Sequence, residues 1–149
     1  MNLVLKDLAK EEMLAVNKEN GHCFIQWHGM AQTSCPSSDV FISAGIGNSP
    51  IYDQYIPSIN IVHNFNKIAK RLKMNASTPR IDQTCKLAAT TNIFGRYING
   101  VPERDACSKP AKESDVTGRF VHIEQKEGSR DNHPLWIHVI RDAFPLVLI

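Results

Sequence analysis

The chain has 149 residues, of which 42% are hydrophobic, and its 17 Lys and Arg residues nearly balance 15 Asp and Glu residues. This length suits one domain, since domains usually run to roughly 100–150 residues. The apolar fraction is too high, and the net charge of +2 too low, for a disordered chain. No apolar run approaches the roughly 20 residues that would span a bilayer. Because Lys6 and Asp7 place charges in the N-terminal stretch, no signal-peptide core is expected and a cytoplasmic protein without membrane contact is predicted.

Four cysteines are scattered along the chain, at Cys23, Cys35, Cys85 and Cys107. They form no Cys-x-x-Cys pair, and no His and Cys spacing resembles that of a zinc finger. For a chain without a secretion signal we expect these residues to be reduced thiols.

The first half of the chain is predicted to contain two helices and two strands. Leu5, Leu8 and Val16 recur at helical spacing, which indicates a helix over residues 3–18. The compact apolar runs after it favour strands, and Pro57 with Ser58 introduces a second amphipathic helix. The strands are expected over 22–28 and 40–46, and the helix over 58–74.

The second half begins with a long irregular segment. Residues 75–113 hold three prolines and many Asn and Thr residues, so we predict loop with one short helix near 82–90. Clean alternation predicts a strand over 119–126. A turn over 128–134, a helix over 135–144 and a strand over 146–149 complete the chain. The whole, residues 1–149, is predicted to be a single small α/β or α+β domain with a central mixed sheet flanked by helices.

The stretch ESDVTGRFVHIEQKEG, residues 113–128, carries the clearest chemical pattern. A strand alternates with period 2, so His122, Glu124 and Lys126 share one face, and Asp115 lies just upstream. Two carboxylates hold a hard divalent cation such as Mg²⁺ through oxygen. A nearby lysine orients or deprotonates water, or stabilises the transition state. This pattern is typical of metal-dependent phosphodiesterases.

The same residues resemble the core of the PD-(D/E)xK nucleases, and most closely their virus-type replication-repair branch. Asp115, a glycine and then Arg-Phe-Val-x-Ile-Glu-x-Lys match the motif. The turn, helix and strand predicted after it match the order of elements in that family. The resemblance implies a nuclease, active or degenerate, that hydrolyses DNA or RNA with Mg²⁺ or Mn²⁺. Residues 29–112 would then be an insertion into a minimal nuclease core.

Family members also begin with a helix that carries a glutamate. Glu12 fits this position, because on a helical wheel it is displaced by only about 20° from Leu5 and so lies within the apolar face. By resemblance, the metal ligands would be Glu12, Asp115 and Glu124. Lys126 would be the water-orienting base or transition-state stabiliser, and His133 would be an auxiliary polar group at the start of the next helix.

Two questions stay open at this point. Asp115 precedes Glu124 by nine residues, and a straight hairpin would separate the two by roughly 13 Å. A shared metal therefore needs a bent or slipped connection, or another acid such as Asp105. The plainer alternative is an edge strand on which Glu124 and Lys126 are merely solvated.

Charge is distributed unevenly. Residues 64–102 hold seven basic residues and one acid, which gives this segment a net charge of +6 and the remainder −4. Such separation is what binding of a phosphate backbone beside an acidic metal site requires, so nucleic acid is a predicted partner. The predicted phosphate contacts are Lys67, Lys70, Arg71 and Lys73; an ordinary solvated helix face is the alternative.

Two other functions are compatible with the sequence. Cys23 with His138 or His133 could form the nucleophile and base of a cysteine hydrolase, although Cys23 lies in a stretch that alternates like a strand. A non-enzymatic interaction protein, of the inhibitor, immunity or phage-antagonist type, would need no catalytic motif and would have a protein partner.

Overall fold

A mixed β-sheet organises the chain. The structure is a computed structural model, and it describes residues 22–144. Its strands are β1 (Phe24–Gly29), β2 (Val40–Ser43), β3 (Ala76–Ser77) and β4 (Phe120–Gln125), in the spatial order β1-β4-β2-β3. β4 is parallel to β1 and antiparallel to β2, and β2 is parallel to β3. The predicted mixed sheet is thereby confirmed, and residues 29–112 supply two of its strands.

Four helices accompany this sheet in the described part of the chain. They are α1 (Pro57–Ile68), α2 (Ile93–Ile98), α3 (Glu127–Arg130) and α4 (His133–Ala143), with short 3-10 helices over Pro50–Asp53, Ala69–Leu72, Glu103–Asp105 and Glu113–Asp115. None of the helices within residues 22–144 has the length and apolarity needed to cross a membrane.

The long helix α1 forms where helical periodicity predicted one. Pro57 occupies its first turn, where the missing N–H costs nothing, and Ile61 and Phe65 are buried one turn apart. The last predicted turn tightens into the 3-10 helix, which ends at Lys73 in the left-handed conformation with φ 56°. The predicted helix over 58–74 is therefore confirmed, with its end in a different geometry.

The two faces of the sheet differ in what covers them. Val121 and Ile123 of β4 point to one face, here called the helical face, where they form the main core with α1 and α4. Phe120, His122 and Glu124 point to the opposite face, here called the loop face, because successive residues of a strand alternate. The loop face is covered by residues 82–106, which include α2.

Close packing of α2 on the loop face depends on a glycine. A Cβ atom built at Gly95 would lie 2.5 Å from the Phe120 ring, closer than real side chains approach. The side chain of Asn92 caps the helix by accepting a hydrogen bond from the Gly95 amide at 2.8 Å. These two features place α2 directly against β4.

The short helix predicted near 82–90 is wrong. The Asp82 carboxylate accepts hydrogen bonds from the Thr84 and Cys85 amides, which holds this stretch in a turn, and Ala89 has a positive φ of 54°. The helix of this region instead lies at Ile93–Ile98.

Two boundaries near the other elements also differ from prediction. The strand expected over 40–46 ends at Ser43, because Gly45 adopts a positive φ of 78°. Within the turn expected over 128–134, Glu127–Arg130 forms a helical turn and α4 already begins at His133. The helix predicted over 3–18, which contains Glu12, and the strand predicted over 146–149 lie outside the described residues.

The prediction of four reduced thiols is wrong, because Cys35 and Cys85 form a disulfide. Both cysteines belong to a small buried apolar cluster with Met30, Phe41 and Ala88. The two cysteines are separated by 50 residues in sequence, so local spacing carries no sign of the pairing. Cys23 and Cys107 are free thiols.

We expect reduction of this disulfide to lower the free energy of unfolding by about 2–4 kcal/mol, because the bond closes a long loop in the unfolded chain. Urea denaturation of the Cys35→Ser/Cys85→Ser variant measures this against the wild type. Cys107→Ser is the matched control, since Cys107 is exposed and unpaired. Equal stability of the double variant and the control would contradict a structural disulfide.

Candidate metal centre

The predicted alternation of β4 is confirmed, but its setting is not that of an edge strand. β4 lies between β1 and β2, and both His122 (4% exposed) and Glu124 (9% exposed) are buried on the loop face. The alternative in which Glu124 and Lys126 are solvated on an edge is therefore wrong. A buried carboxylate needs a compensating partner, since transfer of an isolated charge from water is costly.

The neighbouring strand β1 places a histidine, His28, beside Glu124. The parallel register pairs His28 with Glu124 and Gln26 with His122, so these side chains project to the same face. The rings of His28 and His122 have centroids 4.5 Å apart, and His122 Nε2 lies 3.7 Å from Glu124 Oε1. One ligand atom from each of His28, His122 and Glu124 lies within 4.8 Å of the others.

Burial controls the charge of these groups. It lowers the pKa of His122 to about 4, and the neighbouring His28 acts in the same direction, so the imidazole is neutral at pH 7. Burial raises the pKa of Glu124, although His28 beside it acts in the opposite direction. His122 Nδ1 is buried without a hydrogen-bond partner. The site thus holds a neutral imidazole with an unsatisfied nitrogen next to a desolvated carboxyl group.

These three side chains face a cavity of about 360 Å³. Its remaining wall comes from the segment that covers the loop face, from residues 86, 87 and 89–92. Asn92 fixes one side of this wall by donating from Nδ2 to Gln26 Oε1 at 2.7 Å. Because His28 is exposed and the other two groups are buried, the cavity leads from solvent to the carboxylate.

The donor set does not fit Mg²⁺. That ion demands near-octahedral oxygen ligation and dehydrates reluctantly, whereas two of the three donors here are imidazoles. Two histidines and one carboxylate suit Zn²⁺, Mn²⁺ or Fe²⁺. Of the two ions predicted from the sequence, Mn²⁺ suits the donors found within residues 22–144 better than Mg²⁺, and the identity of the metal stays a prediction.

Asp115, a predicted ligand, lies at the other end of β4. It ends the 3-10 helix before the strand, is exposed, and accepts a hydrogen bond from Ser114 Oγ at 3.0 Å. Asp105, the alternative acid, forms an ion pair with Lys109 at 3.1 Å. Neither joins Glu124 in the candidate metal group found among residues 22–144.

Lys126 is buried, and its ammonium group is directed elsewhere. Nζ donates to the carbonyl oxygen of Cys35 at 3.4 Å, in the region of the disulfide. His133 begins α4 and lines a different cavity, with Trp27 and Trp136 on the helical face. The structure therefore does not bring Lys126 and His133 together around Glu124.

The predicted phosphate contacts lie on the far side of the sheet. They belong to α1 and the 3-10 helix after it, and α1 packs on the helical face. All four side chains, those of Lys67, Lys70, Arg71 and Lys73, are exposed. This basic surface and the His28–His122–Glu124 cavity are separated by the sheet itself.

The residues of the predicted cysteine hydrolase are also far from this cavity. Cys23 packs against the core of the helical face, and burial raises the pKa of its thiol to about 12, so the thiolate is scarce at neutral pH. His138 lies on the exposed side of α4. This environment is that of a structural cysteine.

Sequence reasoning missed His28 as a functional residue. Alternation in the predicted strand 22–28 does place Gln26 and His28 on one face, but only the pairing of β1 with β4 brings His28 beside Glu124. Comparison with protein-family models, curated proteins and solved structures gives no match. The resemblance to a nuclease family therefore stays a prediction, and the site is interpreted from its geometry.

The pH dependence of stability tests the environment of His122. We expect the free energy of unfolding of the protein in chelator to fall as pH is lowered from 6.5 toward about 4. In this window His122 is protonated in the unfolded chain but not in the folded protein. Each unit of difference between its pKa in the two states changes the free energy of unfolding by about 1.4 kcal/mol. Glu124 acts with the opposite sign, since the folded protein binds its proton first.

Urea denaturation across this pH range should show a shallower dependence for His122→Gln than for the wild type. His63→Gln removes an exposed histidine of α1 and should keep the wild-type slope. Parallel profiles for the wild type and His122→Gln would show that His122 is not buried as a neutral group.

Proposed function

We propose that the protein is a metal-dependent hydrolase of phosphate esters in which His28, His122 and Glu124 hold one divalent ion. Nucleic-acid phosphodiesters are the first substrate class to test. The observation that supports this proposal most directly is the convergence of three ligand atoms within 4.8 Å, from two adjacent strands, at the base of an open cavity.

The number of ligands favours a catalytic over a structural ion. Structural zinc sites are closed by four protein ligands, whereas catalytic sites use three and leave a position for water or substrate. The candidate group within residues 22–144 has three members, and the cavity beside them is open. A divalent ion in such a position supplies Lewis acidity and lowers the pKa of a water molecule.

The protein's own groups would prepare that site. His122 is already neutral, so it would not have to lose a proton before it binds the ion. Glu124 is desolvated, so a cation would offset its burial. The orphaned Nδ1 of His122 provides a further reason for a ligand in this cavity, because buried polar atoms without partners are rare.

This proposal retains the predicted reaction and Glu124 but changes the other participants. In the proposed site two imidazoles from β1 and β4 take the place of the predicted acids Glu12 and Asp115. Of the predicted ions Mn²⁺ is kept, and Zn²⁺ takes the place of Mg²⁺. Lys126 has no catalytic role in it, since its ammonium group contacts the Cys35 carbonyl.

The disulfide also bears on the compartment. The sequence predicts a cytoplasmic location with reduced cysteines, whereas Cys35 and Cys85 are bonded in the folded chain. Disulfides form and persist in oxidising environments. We therefore infer that the folded protein works under oxidising conditions.

Metal binding is the first test of the proposal. His28→Ala, His122→Ala and Glu124→Gln should each weaken Zn²⁺ binding by about 100-fold or more, because each removes one of three ligands. Competition against a chromophoric chelator measures the affinity. Glu127→Gln is the matched control, since Glu127 is an exposed carboxylate close by in sequence. Equal affinities for the wild type and all three ligand variants would rule out this site.

Hydrolysis is the second test. Cleavage of bis(p-nitrophenyl) phosphate and of labelled DNA and RNA should stop in chelator and return with Zn²⁺ or Mn²⁺ more than with Mg²⁺. Glu124→Gln should lower kcat/KM by about 10³-fold. Zinc binding without turnover on any phosphate ester would favour the non-enzymatic interaction protein instead.

A lysine variant separates this proposal from the mechanism implied by the nuclease resemblance. Lys126→Met keeps the buried aliphatic stem and removes one long hydrogen bond, so we expect kcat/KM to stay within about threefold of the wild type. Loss of activity in Lys126→Met with unchanged metal affinity would favour the nuclease mechanism.

A further inference from the structure

Lys86 connects the candidate metal cavity to a second one. It lines the cavity of His28, His122 and Glu124, and it also lines an adjoining cavity of about 360 Å³ that includes Gly47 and Asn48. Thr90 is likewise common to both. A ligand longer than a single chemical group could therefore extend from one cavity into the other past this lysine.

The backbone around Lys86 is held on both sides. Cys85, the preceding residue, is bonded to Cys35, and its amide donates to Asp82. Two residues after Lys86, the carbonyl oxygen of Ala88 accepts a hydrogen bond from Ser43 Oγ of β2 at 2.9 Å. Because Cys85 and Ala88 are both fixed to the rest of the fold, the backbone that carries Lys86 has a defined position, and less backbone entropy is lost when the residue binds a ligand.

The ammonium group is available to a ligand. Nζ donates to the Gln83 carbonyl oxygen at 3.2 Å, which leaves N–H bonds for another acceptor, and Lys86 is exposed. Among the ion pairs that the structure shows in residues 22–144, none includes Lys86. Lys86 thus lines both cavities, and none of the ion pairs that the structure shows in residues 22–144 neutralises its charge.

Charge at the two cavities favours an anion. Glu124 is the one acidic residue that lines either of them within the described chain. A divalent ion held by His28, His122 and Glu124 would, together with Lys86, outweigh that single negative charge. The remaining polar groups of the adjoining cavity, on Asn48, Gln83 and Thr90, are neutral and include hydrogen-bond donors.

We propose that Lys86 is the specificity-determining residue for an anionic substrate group, a phosphate, that lies between the two cavities. The ammonium group binds non-bridging oxygens of this phosphate, and the neutral amide and hydroxyl groups of the adjoining cavity contact the rest of the substrate beyond it. This inference rests on the proposed function, because it places the phosphate next to the ion that would cleave its ester.

Titration with inorganic phosphate, followed by amide resonances in nuclear magnetic resonance spectra, tests the proposal directly. Phosphate should shift the amides of residues 86–91, both in chelator and with one equivalent of Zn²⁺. Its Kd should rise about tenfold in Lys86→Gln, which corresponds to the loss of one charge-assisted hydrogen bond. Lys86→Arg keeps the charge and should stay within about threefold of the wild type.

Lys112→Gln is the matched control, because Lys112 is exposed and lines neither cavity. Equal phosphate affinity in Lys86→Gln and Lys112→Gln, or no shift at residues 86–91 in the wild type, would overturn the proposal. The same spectra test the proposed function separately, since Zn²⁺ alone should shift the His28 and His122 side-chain resonances. If Zn²⁺ shifts neither histidine, the proposed metal centre is wrong. The phosphate titration in chelator still tests the role of Lys86 independently of that result.

Discussion

The position of β4 between β1 and β2 is the constraint on which the other features depend. Hydrogen bonding on both sides fixes the direction of every β4 side chain, so Val121 and Ile123 point to the helices and His122 and Glu124 point to the loop face. A slip of one residue in either register would exchange these two sets. The apolar core and the candidate metal centre are thus two consequences of one strand alignment.

Burial of polar residues on a central strand costs free energy unless they have partners, and the segment that covers the loop face is attached to the sheet by many bonds. Residues 82–106 cover that face without adding a strand, and they are attached by bonds of several kinds. These are the Cys35–Cys85 disulfide, the hydrogen bonds to Asp82, and those from Ser43 to Ala88 and from Asn92 to Gln26. Burial alone would raise the pKa of Asp82, but hydrogen bonds from Thr84 and Ser38 outweigh it and lower that pKa. Residues 82–106 are therefore held against the sheet, but they leave a cavity beside His122.

The nuclease resemblance and the structure share Glu124 and differ in what surrounds it. The family motif expects acids from sequence positions upstream of the strand. In the folded chain Asp115 is exposed at the far end of β4, and the groups beside Glu124 are imidazoles from β1 and from β4 itself. Since the donor atoms decide which ion binds, this difference moves the proposed metal from the predicted Mg²⁺ or Mn²⁺ to Zn²⁺ or Mn²⁺. The exposed basic residues of α1 and of the 3-10 helix after it are separated from the site, because α1 packs on the opposite face of the sheet.

The sequence by itself determined the local elements whose hydrophobic period is strong. The apolar stripe of α1, the alternation of β4 and Pro134 at the start of α4 are encoded within a few residues, and the mixed sheet was predicted from the order of these elements. Even the shared face of His122 and Glu124 follows from the period of a strand. The turn at Asp82 was missed because a side chain displaced the backbone bonds that a helix there would need. Tertiary structure alone decided that β4 is central, that His28 pairs beside Glu124 and that Cys35 meets Cys85. Those contacts join residues that are 50 or more positions apart, or depend on strand register, and a local pattern contains no information about either.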